Sequence, residues 1–166
     1  MKYKVILLLL LTTSFQGCGI YSFSGASIPP NAKTMTIVQF DNTAPIVVPA
    51  LAQTLSDRIR AKFIAETGLR LVENEGDLVF EGIIQEYNVS PAAVSGAEQT
   101  TLNRLTIGVK VIYSNKIDPT LDFETVFRRY ADFSATTDLA SVENQLIQEI
   151  STQLIDDIFN KAFVNW

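Results

Sequence analysis

The sequence predicts an α/β (α+β) sandwich, with two amphipathic helices packed on one face of a four- to five-stranded mixed sheet, in the order β-α-β-β-β-β-α. Three observations predict it. Leu51, Leu55, Ile59 and Phe63 recur every four residues, as do Leu146, Ile150, Leu154, Ile158 and Ala162. Between them, Leu105, Ile107, Val109, Val111 and Tyr113 alternate with Arg104, Thr106, Gly108 and Lys110, the period of a half-buried strand. Short runs rich in β-branched and aromatic residues separate the rest.

The chain has 166 residues and opens with Lys2 and Lys4, followed by an unbroken apolar run from Val5 to Leu11. A basic start and a short apolar core are the architecture of an export signal, and the run is too short to span a bilayer as a helix. Phe15-Gln16-Gly17-Cys18 then resembles a lipobox, with a small residue just before the cysteine. Cys18 is the single cysteine, so it can form no internal disulfide. Residues 1–17 are therefore expected to be a lipoprotein signal peptide, with Cys18 acylated after cleavage. The alternative is a conventional signal cleaved nearby, leaving a free thiol. Three acyl chains would anchor firmly where one binds only marginally.

Residues 18–32 are expected to form the lipidated N-terminus and an extended tether, since Pro29-Pro30 forbids a helix. Tyr21, Phe23 and Ile28 are apolar enough for this strap to dock on the domain; a free linker is the alternative. Residues 33–166 are expected to form a single α/β domain. About 150 residues suffice for one core and not for two.

Within that domain, Thr34 to Phe40 is a predicted strand and Asp41 to Pro45 a turn. The first helix runs from about Ile46 to Thr67, with Pro49 in its first turn and Gly68 as its stop. Leu69 to Val72 is a short strand, Asn74-Glu75-Gly76-Asp77 a turn, and Leu78 to Tyr87 a strong strand. Residues 88–100 read as a loop. Asn103 to Tyr113 and Leu121 to Phe133 are the last strands, with Phe123, Phe127, Ala131 and Phe133 on one face of the latter. Arg129 interrupts that face, so a bulge or strand end is expected near it. Ser141 is the expected N-cap of the second helix, which carries the chain toward Trp166. Trp166 is expected to cap the core, with a partner or interfacial contact as the alternative.

Composition narrows the function. There is no histidine, which removes His-dependent nucleophilic catalysis and His-based metal sites. The carboxylates are scattered or adjacent on a helix, as in Asp156-Asp157, so no catalytic residue, metal site or cofactor is expected. The net charge of −5 falls by two to −7 once Lys2 and Lys4 are removed, which argues against nucleic acid as a partner.

Several stretches carry a family likeness: Cys18-Gly19-Ile20-Tyr21-Ser22-Phe23-Ser24-Gly25 with Ser27-Ile28-Pro29-Pro30; Asn103-Arg104-Leu105-Thr106-Ile107; Asp122-Phe123-Glu124 with Arg129-Tyr130-Ala131-Asp132-Phe133; and Asn165-Trp166. Together these resemble the lipopolysaccharide-assembly lipoprotein LptE as found in the Bacteroidetes. The resemblance implies a non-enzymatic outer-membrane lipoprotein. Such a protein faces the periplasm and plugs the LptD barrel, helping to assemble lipopolysaccharide at the cell surface. Gly19 is not the aspartate that typically retains lipoproteins in the inner membrane of enteric bacteria, which agrees with that destination. A periplasmic adaptor lipoprotein regulating a cell-wall enzyme is the alternative.

Lipid A carries phosphates, so a binder would present cations beside aromatic groups. Arg104 and Lys110 share the polar face of one strand; Arg128 and Tyr130 share the polar face of the next. If the strands pair, these four form the candidate lipopolysaccharide or partner contacts. The alternative is a solvated sheet face, or cross-strand ion pairs with Glu124 and Asp122.

Overall fold

The computed structural model describes residues 27–92 and 101–164. The signal peptide, Cys18, Tyr21, Phe23, most of the 88–100 segment and Trp166 lie outside the described residues.

Six strands and two long helices are present among the described residues: β1 (Thr34–Ile37), β2 (Asp41–Asn42), α1 (Pro49–Thr67), β3 (Arg70–Leu71), β4 (Leu78–Ala92), β5 (Leu102–Asn115), β6 (Phe123–Ser134) and α2 (Leu139–Phe163). The sheet order is β3-β1-β4-β5-β6, with β2 continuing the β1 lane along β4. β1 pairs in parallel with β3 and β4, and β2 in parallel with β4; β5 pairs antiparallel with β4 and β6. The predicted sandwich of two helices on a mixed sheet is therefore present.

The helices begin and end where local chemistry dictates. Pro49 occupies the first turn of α1, where its missing N–H costs nothing, and Gly68 closes the helix at φ 67°. α2 starts earlier than expected. Asp138, not Ser141, is its N-cap, with its carboxylate accepting from the Ala140 N–H, while the Ser141 hydroxyl turns back to the Asp138 carbonyl.

Both helices cover the same sheet face. Phe63 of α1 meets Phe80 of β4 edge-on at 5.0 Å and meets Phe159 and Phe163 of α2 at 5.5 Å each. Leu105, Ile107, Val109, Val111 and Tyr113 are all buried on that face, as the alternation requires. Across the helices, Lys62 pairs with Asp156 at 3.0 Å, and Arg58 hydrogen-bonds to Gln148 and Thr152. Asp156 is thus a link between helices and not merely a solvated charge.

Several strand details depart from expectation, among them the predicted turn at Asp41, which becomes β2. β1 ends at Ile37, and Phe40 leaves the strand lane to lie over Gly82 of β4. Its N–H donates to the buried Ser56 hydroxyl of α1 (2.9 Å), so the link between β1 and β2 is fastened to the helix above it. A Cβ at Gly82 would collide with the Phe40 ring. Gly82→Ala is therefore expected to cost about 1–3 kcal/mol by overpacking, seen as a lower urea midpoint with an unchanged slope. An unaltered midpoint would show that Phe40 is not seated there.

Another departure is at Arg129. β5 and β6 pair in unbroken register, so there is no bulge. Arg129 stays on the helix side and reaches Asp157 of α2 in a forked pair at 2.5 and 2.6 Å. The bulge lies instead in β4, between Ile84 and Glu86. β4 also continues through Pro91 to Ala92, because β5 extends alongside it.

Candidate functional site

Among the described residues, neither helix covers the other sheet face. Strand alternation and pairing fix what it presents. From β5 come Arg104, Thr106, Gly108, Lys110 and Ile112; from β6 come Glu124, Val126, Arg128, Tyr130 and Asp132. The β4 bulge at Gln85 shifts the pleat by one residue, which places Glu86 on this face beside Gly108. The structure therefore brings Arg104, Lys110, Arg128 and Tyr130 onto one surface.

Their local geometry is specific. The Arg104 guanidinium lies 3.6 Å from the centroid of the Tyr130 ring and forks onto Asp132 at 2.7 and 2.9 Å. Lys110 meets Glu124 at 2.5 Å. Arg128 meets Glu86 at 2.8 Å. Glu86, Gly108 and Arg128 stand in one row across three strands. A Cβ at Gly108 would lie 2.9 Å from that of Glu86, so the bare glycine is what lets the two charges meet over β5. Hydrogen bonding from Arg104 holds the Asp132 carboxyl below the usual carboxylate range, and Asp132 raises the Arg104 guanidinium.

Lys110 finds the expected Glu124, whereas Asp122 is not a partner of these cations. Its carboxylate accepts the Asn115 N–H at 2.6 Å and fixes the turn between β5 and β6. Sequence reasoning missed Asp132 and Glu86. Asp132 could have been found, since it stands directly opposite Arg104 once β5 and β6 are registered. Glu86 could not, because an unforeseen bulge decides its face.

Chemically, the surface is a ladder of exchangeable ion pairs. Each cation is at least a quarter exposed, and exposed pairs hold weakly. A multiply charged anion would compete with these carboxylates for the same cations, least readily for Arg104 in its fork with Asp132. Tyr130, half exposed, adds an aromatic plate beside them. Among the described residues no group of three acidic, histidine or cysteine side chains is placed to hold a metal ion, and no helix is long and apolar enough to cross a membrane.

Against known proteins, the model of the family described as LptE, lipopolysaccharide-assembly, matches residues 32–162. No curated protein matches the chain. Among solved structures, a neuraminyllactose-binding hemagglutinin homologue from Helicobacter pylori is similar with a TM-score of 0.51 at 8% identity, over 85% of this chain and 88% of that one. A hypothetical protein from Chlamydia trachomatis gives 0.50 at 9% identity, over 81% of this chain and 99% of that one. Likeness at such low identity concerns the fold alone.

Proposed function

The chain belongs to the LptE family of lipopolysaccharide-assembly proteins, and from that premise we propose that it is a non-enzymatic outer-membrane lipoprotein that partners and plugs an LptD-type barrel. The observation that carries the proposal is the family match across residues 32–162, nearly the whole folded domain. In this reading residues 1–17 are removed as a signal peptide. Cys18 is acylated and holds the domain on the periplasmic side of the outer membrane.

The open sheet face is proposed as the lipopolysaccharide or partner contact. A lipid A phosphate is a multivalent acceptor suited to Arg104, Lys110 and Arg128, with Tyr130 beside the sugar. Arg104→Glu, Lys110→Glu and Arg128→Glu are each expected to weaken lipopolysaccharide binding about tenfold, the worth of one charge-assisted hydrogen bond. Isothermal titration with purified lipopolysaccharide checks this. Unchanged, wild-type affinity in all three variants would assign the face an ordinary solvated role.

Depletion in cells tests the broader reading. Loss of surface lipopolysaccharide is the expected result. Intact lipopolysaccharide with altered peptidoglycan crosslinking would move the protein to the adaptor class.

A further inference from the structure

We propose that one end of the domain is itself a lipid-docking surface, with Ile117 and Leu121 as its apolar contacts; this rests on the proposed acylation of Cys18.

Several contacts define that end. The Ser27 N–H donates to the Phe163 carbonyl at 2.6 Å, so the described chain begins beside the last turn of α2. Asp77 joins this entry to the turn between β5 and β6. Its carboxylate accepts the N–H groups of Lys33 and Thr34 at 2.8 and 2.9 Å, and its carbonyl accepts that of Lys116 at 2.9 Å. The turn Ile117-Asp118-Pro119-Thr120-Leu121 therefore projects from the end where the chain leaves toward Cys18. Eight residues, 19–26, lie between Cys18 and Ser27. At about 3.3–3.6 Å for each of the nine steps they reach at most about 32 Å, so an anchored Cys18 holds Ser27 within that distance of the bilayer.

The turn suits an interface. Ile117 and Leu121 are 40% and 38% exposed, with exposed Pro119 between them. The neighbouring carboxylates are engaged locally by N–H groups: Asp118 accepts from Thr120, Asp122 from Asn115, and Asp77 as above. Lys33 and Lys116 flank the turn, and Lys161 lies over Phe123 at 5.8 Å. Among the described residues these three lysines make no ion pair, as is also true of Arg58 and Arg70, whereas Arg60, Lys62, Arg104, Lys110, Arg128 and Arg129 all do. Two aliphatic tips ringed by lysines fit the boundary between acyl chains and phosphates. Glu73 and Glu75 also lie toward this end, on the β3 side, so the aliphatic contact and the tether carry the docking rather than net charge.

The opposite end supplies an internal control. Ile46 and Val47 are more exposed, at 55% and 58%. They precede the 19-residue α1, whose far end is Gly68, and so lie about 28 Å away.

The test uses the full acylated chain in vesicles of phosphatidylethanolamine and phosphatidylglycerol. Acylation consumes the only native thiol, so Ile117→Cys, Leu121→Cys and Val47→Cys can each be labelled at one site with an environment-sensitive fluorophore. Lipids bearing a quencher near the headgroup are then added. The expected result is loss of emission at 117 and 121, with emission at 47 retained despite its more apolar surroundings. Intact mass of the same samples reports acylation. An acylated chain in which 117 and 121 are quenched no more than 47 overturns the docking surface and leaves the anchor standing. An unacylated Cys18 overturns the anchor, and the docking proposal with it.

Discussion

Phe63→Ala lowers the stability of the domain by about 3–5 kcal/mol, the usual cost of emptying a buried phenylalanine site. Phe63 has no exposed surface and is the one ring that touches β4 and α2 from α1. Truncation removes its own burial and three edge-on ring contacts, each worth about 0.5–1.5 kcal/mol beyond area. The cavity opens where both helices meet the sheet, and backbone there is held by long strands that cannot collapse into it. For a domain of this size the loss corresponds to a melting point lower by about 10 °C or more. Phe63→Leu refills most of the volume and is expected to cost less than half as much. Calorimetry of the two variants checks the pair. A small shift for alanine would mean that α1 is not seated on Phe80.

Cys18→Ala has the largest expected effect on function. With no acyl chains, membrane retention rests on protein contacts alone, and a single chain is already only marginal. Exported behind a conventional signal peptide, the variant is expected to fold with an unchanged melting point, to lose its hold on protein-free lipid vesicles, and to rescue depleted cells poorly. Vesicle flotation together with the melting curve separates anchoring from folding. Flotation of the variant at wild-type level would show that the anchor is dispensable.

The legible and illegible parts of the fold divide on range. The stripes at Leu51 to Phe63 and Leu146 to Ile158, and the alternation at Leu105 to Tyr113, report burial of one face and need no partner to be interpreted. Pro49 and Gly68 announce the limits of α1 through their own backbone restrictions. Elsewhere the outcome depends on a neighbour. Asp41-Asn42 has turn chemistry, yet it becomes β2 because β4 offers an open lane beside Ile83 and Ile84. Arg129 breaks an apolar face in sequence and is accommodated because Asp157 waits on α2. Asp138 and Ser141 are both capping residues, and tertiary placement of Leu139 against the core selects the former.

The candidate site shows the same division. The cations and Tyr130 share a face by alternation alone, and their assembly follows once β5 and β6 pair. Their carboxylate partners were only partly visible. Glu124 is legible as a cross-strand partner from the sequence. Asp132 required the register, and Glu86 required both the bulge at Gln85 and the missing side chain of Gly108. The open face is thus less basic than the list of its arginines and lysines promises, and its chemistry is exchange of partners rather than bare attraction.

The central claim, partnership with a barrel, is tested most directly by co-purification. Outer membranes carrying the tagged full chain are solubilised in mild detergent, and the captured material is resolved and identified by mass spectrometry. The account predicts a large LptD-type β-barrel in stoichiometric amount. Capture of the intact, acylated chain with no such barrel would contradict it.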